Sequence, residues 1–149
     1  MSLQNDVMMA MKTAMKSKNQ IELTALRAIK SAILLAQTEN GASGELTQEQ
    51  ELKLLQKLVK QRKDSAAIYD AQGRTDLAQP ELDEAEVIAR FLPEALSEAD
   101  IEVAVVKAIE VTGAQGMKDM GKVMGIVSKE LAGRADGKTI SNIVKQKLS

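Results

Sequence analysis

The chain has no cysteine, no histidine and no tryptophan, and Phe91 and Tyr69 are its only aromatic residues. Without cysteine there are no disulfides, no thiolate nucleophile and no thiolate-held zinc, a profile that fits a reducing compartment. Without histidine there is no imidazole base and no usual transition-metal ligand. The near absence of aromatics removes the platforms on which single-stranded bases stack. No run approaches the roughly 20 apolar residues that a membrane-spanning helix needs. The opening stretch, MSLQNDVMMAMKTAMKSK, has neither a leading basic region nor a long apolar run, so no secretion signal is expected. A soluble, cytoplasmic protein is the resulting expectation.

What remains is aliphatic and helix-forming. Ala, Leu, Glu, Lys, Gln and Met dominate the 149 residues, and only two prolines interrupt them. No useful length alternates with period two, so an all-α fold is predicted. The spacing predicts a first helix over 3–16 with Leu3, Val7, Ala10, Met11, Ala14 and Met15 on one face. A second begins at the cap signature Asn19…Glu22 and places Leu26, Ile29, Ile33 and Ala36 inward. It stops in the Gly/Ser loop near Asn40 to Gly44. Thr47 and Gln50 form another capping-box signature and open the longest helix, 48–71, which Gly73 stops. A fourth helix starts at Thr75 or Gln79, holds Pro80 in or near its first turn and reaches Phe91. Ser97 and Asp100 then start a fifth, to Val111. Two short helices follow, over about 117–131 and 136–148. The boundary falls in LPEALS, 92–97, giving an N-terminal subdomain of about four helices (1–93) and a three-helix tail (97–149).

Charge is unevenly distributed. The chain as a whole nets −1. From Met117 onward, however, seven Lys/Arg stand against three Asp/Glu, whereas 94–116 has one Lys against five acids. A basic surface on a near-neutral protein suits an anionic partner. Lys118, Lys122, Gly125 and Lys129, at i, i+4, i+7 and i+11, fall on one face of the predicted helix, opposite Met120, Val123, Met124, Val127 and Leu131. Arg134 and Lys138 extend the patch. One reading is phosphate contact that positions an RNA without reading its bases. The other is an ordinary solvated face, with Gly121 and Gly125 as a small-residue contact between helices.

Other features read as structural. Arg62 interrupts the stripe Leu52, Leu55, Val59, Ala66 and Tyr69, so its guanidinium needs a carboxylate, with Asp83, Glu84 and Glu86 as candidates. Arg62 and Tyr69 are therefore read as a structural clamp. Lys60 and Lys63 are either solvated or a second anion-facing patch. The acids Asp76, Glu81, Asp83, Glu84 and Glu86 do not follow a calcium-loop spacing, and no phosphate-binding glycine motif is present. No metal and no cofactor are expected. Met8, Met9, Met11 and Met15 are read as core filler.

Two blocks, QRKDSAAIYDAQGRTDLAQPELDEAEVIARFLP and KDMGKVMGIVSKELAGRADGKTISNIVKQKL, resemble the GatB/YqeY family. These are small bacterial proteins related to the tail of the GatB component of the glutamine-dependent amidotransferase that acts on mischarged aspartyl- and glutamyl-tRNA. The resemblance covers essentially the whole chain. It implies an all-helical protein in two parts, whose tail holds tRNA while amidation takes place elsewhere. Carbon–nitrogen ligase activity with glutamine as amido donor belongs to that larger assembly and is not expected of this polypeptide alone. By the same resemblance Lys118, Lys122, Gly125, Arg134, Gly137 and Lys138 lie in the shared block and, with Lys129, are the RNA-contact candidates. With so few aromatics the RNA would be a folded one, a tRNA or tRNA-like body. A protein-interaction module, with a partner from the translation machinery, and an enzyme built on Lys, Tyr or carboxylates are the competing readings.

Overall fold

Short polar caps set where the first three helices begin. The computed structural model describes residues 2–39, 41 and 44–149. Helix α1, Leu3–Ser17, starts where the Ser2 hydroxyl accepts from the Asn5 amide at 3.2 Å. Asn19 caps α2, Gln20–Glu39, by accepting from the Glu22 amide at 3.1 Å. Thr47 and Gln50 close a full capping box, 3.1 and 2.9 Å, at the start of α3, Gln48–Ala71. Gly73, at φ +73°, turns the chain into α4, Thr75–Ala89. Pro80 lies one turn further in than its cap-like role required. It sits inside α4, so the bond its missing N–H would have made to the preceding turn is absent. The helix also ends before Phe91, not at it. Of the predicted Asn40–Gly44 loop, Asn40, Ala42 and Ser43 lie outside the described residues.

Two compact units divide the chain, Met1–Leu92 and Pro93–Ser149. The core of the first unit is a cluster centred on α2: Leu23, Ala25, Leu26, Ile29 and Ile33, meeting Val7 and Ala14 of α1, Leu55 of α3, and Val87 and Ile88 of α4. The i, i+3, i+4, i+7 spacing on α2 makes one continuous apolar face. Two polar links reinforce it: the Leu3 amide donates to Glu51 Oε2 at 3.1 Å, and Arg90 pairs with Glu22 at 3.0 Å. The methionines behave differently from the core-filling expectation. Met11 is packed against the cluster, but Met8, Met9 and Met15 are 45%, 61% and 61% exposed. Met15 follows the buried Ala14 and turns off the apolar face on which the spacing places it.

Beyond Val59 the core gives way to a seam of small residues. The far half of the α3–α4 hairpin buries Ala66 on α3 and Ala78 and Ala85 on α4, and none of the three belongs to the main cluster. Arg62 sits in this half. It forms no ion pair among the described residues, so the expected bond to Asp83, Glu84 or Glu86 is not made. Asp83 instead accepts from Gln79 at 2.8 Å. Tyr69 is half-buried, and its backbone carbonyl accepts from the Arg74 amide at 2.8 Å, which helps close the turn.

In the second unit, α5, Glu98–Thr112, is capped by Ser97, whose hydroxyl accepts from the Asp100 amide at 3.2 Å, and ends at Gly113 with φ +68°. A 3-10 turn, Met117–Asp119, leads into α6, Met120–Glu130, and α7 spans Gly137–Leu148. Ile101, Val105 and Ala108 of α5, Val123 and Val127 of α6, Leu131, and Ile140, Val144 and Leu148 of α7 form the core of this unit. Among the described residues every regular element is helical, and none is long and apolar enough to cross a membrane.

Candidate nucleic-acid interface

Burial of Val123 and Val127 fixes the rotation of α6. With those two facing α5 and α7, Gly121, Lys122, Gly125, Ile126, Ser128, Lys129 and Glu130 form the exposed side. Lys122 and Lys129 stand about 10 Å apart along the axis at 1.5 Å per residue. Lys118 does not continue this row as an i−4 member of the same α-helix. It lies in the 3-10 turn, where each residue rotates farther about the axis than in an α-helix. The turn has a local cause: Asp119 Oδ2 accepts from the Gln115 amide at 3.0 Å, tightening the chain just before α6. Lys118 remains exposed beside it.

The glycines are not a contact between helices. A Cβ placed on Gly121 or Gly125 would meet no atom within 4 Å. Neither residue has a positive φ. Gly125, in the helix interior, lowers the helix propensity of α6 by about 0.8–1.0 kcal/mol relative to alanine, and Gly121, in the first turn, by less, with no contact of a would-be Cβ to offset it.

The turn between α6 and α7 presents the rest of the candidates. The Arg134 carbonyl accepts from the Leu96 amide at 2.9 Å, and its own amide donates to Leu131 at 3.0 Å, which pins the backbone while the side chain stays exposed. Gly137 and Lys138 are the first two residues of α7 and are exposed. Asp136 precedes them without a side-chain cap bond to the helix and takes a 3.4 Å bond from the Thr139 hydroxyl. Lys138 therefore places a cation at the positive end of a helix dipole, where cations are locally disfavoured. Lys129, in the last turn of α6, sits where a cation is favoured.

None of Lys118, Lys122, Lys129, Arg134 or Lys138 joins an ion pair among the described residues, whereas Lys147 pairs with Glu102 of α5. Sequence reasoning passed over Lys145. It is exposed, joins no ion pair among the described residues, and shares a face of α7 with Lys138 and Asn142, at i, i+4 and i+7. That spacing was the available signal. Among the described residues no three acidic side chains converge into a metal-holding group. In the first unit Lys60 is bonded to Asp64 at 3.1 Å, so it is not a free anion-facing charge.

The chain has relatives. The sequence is 38% identical over 93 residues to "Altered inheritance of mitochondria protein 41, mitochondrial" of Clavispora lusitaniae, covering 62% of this chain and 53% of that protein. The protein of the same name from Meyerozyma guilliermondii is 33% identical over 122 residues, 80% of this chain and 63% of its own. The chain thus spans somewhat more than half the length of these two relatives. It is also 34% identical over 86 residues, 58% of this chain, to a glutamyl-tRNA(Gln) amidotransferase subunit of Thermococcus gammatolerans, of which that match covers 11%. Eighty-six residues exceed the span 93–149, so this likeness extends into the first unit. The relatives named as mitochondrial do not single out a cytoplasmic location. A match to the model of the Yqey-like protein family runs over residues 4–148, nearly end to end, and the chain belongs to that family.

Proposed function

We propose that this protein is a non-catalytic accessory factor whose second unit holds a folded RNA, a tRNA or tRNA-like body, by its phosphates. The observation that carries this reading is the outer side of α6 and the turn after it. Exposed Lys122, Lys129, Arg134 and Lys138, in no ion pair among the described residues, accompany two glycines whose missing side chains leave open space. Free cations attract a polyanion, and the two bare positions at Gly121 and Gly125 let a sugar–phosphate backbone come close there. The relative named as a glutamyl-tRNA(Gln) amidotransferase subunit supports tRNA as the RNA. Action in the cytoplasm belongs to the same proposal.

Fluorescence anisotropy of labelled folded tRNA, beside a labelled oligo(U) of similar length, tests this. Tighter binding to tRNA is expected, because the chain lacks aromatic platforms for single strands. Equal affinity for both, or none for either, would overturn it.

A second reading, a protein-docking module, is favoured by one observation. Met8, Met9 and Met15 of α1 and Leu34 and Leu35 of α2 are exposed apolar side chains of the first unit that the RNA reading does not use. Stable co-purification of one protein and no RNA would support it.

A further inference from the structure

The first two helices form a hairpin whose exposed charge is of almost one sign. From Val7 to Thr38 the cations are Lys12, Lys16, Lys18, Arg27 and Lys30, and the only acid is Glu22. Glu22 is held by Arg90 of α4 at 3.0 Å, so it neutralises none of them. All five cations are exposed, and none joins an ion pair among the described residues.

One side-chain bond shows which of these groups share a surface. Lys18, at φ +56°, turns the chain from α1 into α2, and at the far end of the pair the Gln37 side-chain amide donates to Gln4 Oε1 at 3.4 Å. The two helices therefore run antiparallel with these positions side by side. Gln4, Met8, Met11 and Met15 fall at i, i+4, i+7 and i+11 on α1, and Arg27, Lys30, Leu34 and Gln37 at i, i+3, i+7 and i+10 on α2. The Gln4–Gln37 bond thus lays the two rows edge to edge. Met11 packs inward, whereas Met8, Met15 and Leu34 are 45%, 61% and 48% exposed. Lys12 follows Met8 by one turn, and Lys16 follows Lys12 by another. The result is one surface on which exposed apolar side chains and free cations are interspersed.

That mixture narrows the partner. A nucleic-acid backbone would meet the cations but offers polar sugar and phosphate to the methionines and the leucine. A protein partner seats its anchors in well-packed pockets, whereas these apolar side chains stand out into solvent. A fluid lipid layer closes round each protruding side chain and supplies the anions from its headgroups. Exposed apolar groups among Lys and Arg, with no free acid, fit a helical face that lies in the plane of an anionic bilayer. We propose that the outer side of the α1–α2 hairpin docks on an anionic phospholipid surface. Met8, Met15 and Leu34 enter between the headgroups, and Lys12, Lys16, Arg27 and Lys30 meet their phosphates. The contact is peripheral, since no described helix is long and apolar enough to cross the layer. It belongs to the first unit and does not depend on the RNA reading of the second, and it gives to lipid the side chains that the protein-docking reading would use.

Co-sedimentation of the full chain with vesicles tests this, with phosphatidylcholine alone set against phosphatidylcholine carrying about one-third phosphatidylglycerol. Binding to the anionic vesicles alone is expected, weakening as salt is added. Each cation removed should cost about fivefold, so Lys12→Ala/Lys16→Ala/Lys30→Ala should bind roughly a hundredfold more weakly. Met8→Ser/Met15→Ser, at exposed positions that leave the circular dichroism unchanged, should bind about tenfold more weakly or worse. No binding to either vesicle, or equal binding to both, would overturn the proposal. A methionine variant with parental affinity would do the same, because charge alone would then explain the adhesion. If Lys118→Ala/Lys122→Ala/Lys129→Ala loses vesicle binding while the α1 variants keep it, the contact belongs to the second unit and the proposal fails. Self-association of the parent that the methionine changes abolish would give this face to a second copy. Displacement of the chain from the vesicles by a synthetic acidic amphipathic helix would give it to a protein, and either result would overturn the lipid assignment.

Discussion

Replacing Gly121 and Gly125 by alanine separates the two readings of α6 in one variant. Both residues are exposed, have helical φ, and would place a Cβ into empty space. Nothing in the folded chain therefore opposes the change, and the gain is the difference in helix propensity plus a less flexible unfolded chain. Gly125 lies in the helix interior and is worth about 1 kcal/mol. Gly121, second in α6, counts for less because the first turn contributes fewer bonds. Together they should stabilise the second unit by roughly 1–1.5 kcal/mol, raising its melting temperature by about 5–10 °C for a domain of this size. Circular dichroism of the full chain reads the transition, and anisotropy with folded tRNA reads binding. Stability should rise while affinity for tRNA falls, because two methyl groups now stand where a phosphate backbone approaches. A loss of stability would refute the geometry of α6, and undiminished tRNA affinity would refute close approach at the glycines.

Three further outcomes follow from named contacts. Burial raises the Glu84 pKa more than Arg62 lowers it, and Glu81 raises it further, so the folded state binds this proton more tightly than the unfolded chain does. The contribution of this group to stability thus falls as pH rises through the raised pKa, and at neutral pH the carboxylate is a net cost. In urea melts Glu84→Gln should be more stable than the parent at pH 7, with the gap closing below the carboxylate range. A less stable variant at pH 7 would mean that Arg62 outweighs burial. Arg74 holds Asp76 below the usual carboxylate range through a two-bond fork of 3.0 and 2.9 Å. Its small contribution is present above the unfolded pKa and lost on acidification, so the effect of Asp76→Asn should fade towards acid pH in the same melts. Thr47→Ala and Ser97→Ala each remove a cap and should each cost about 1 kcal/mol, the first in the transition of the first unit and the second in that of the other. Hydrogen exchange resolved by residue distinguishes the two.

Much of the fold was legible because it is local. Caps at Asn19, Thr47 and Ser97 and stops at Gly73 and Gly113 are set by residues within one turn, and the apolar spacing on α2 and α6 needs no knowledge of the partner helices. What failed depended on terms that the apolar period and the cap signatures do not carry. The 3-10 turn that displaces Lys118 arises from the Asp119 carboxylate reaching back to the Gln115 amide, a bond that helical periodicity does not encode. Arg62 lies at a stripe position, but whether a carboxylate meets it depends on how α4 packs against α3 across Ala66, Ala78 and Ala85. Methionine is flexible and tolerates exposure when the neighbouring face is already filled, so the apolar spacing that holds both Met11 and Met15 could not separate them. The open space over Gly121 and Gly125 is likewise tertiary: small residues in a helix read equally well as a packing contact or a bare face.

The most direct measurement is the salt dependence of tRNA binding by the parent chain and by Lys118→Ala/Lys122→Ala/Lys129→Ala. Each phosphate neutralised contributes about 0.7–0.9 to the slope of log affinity against log salt. If the three lysines meet phosphates, the variant should bind more weakly at low salt, and its slope should be shallower by roughly 2 to 3. A parent chain that does not bind folded tRNA at low salt, or a variant with the parental slope, would contradict an RNA-holding surface on α6.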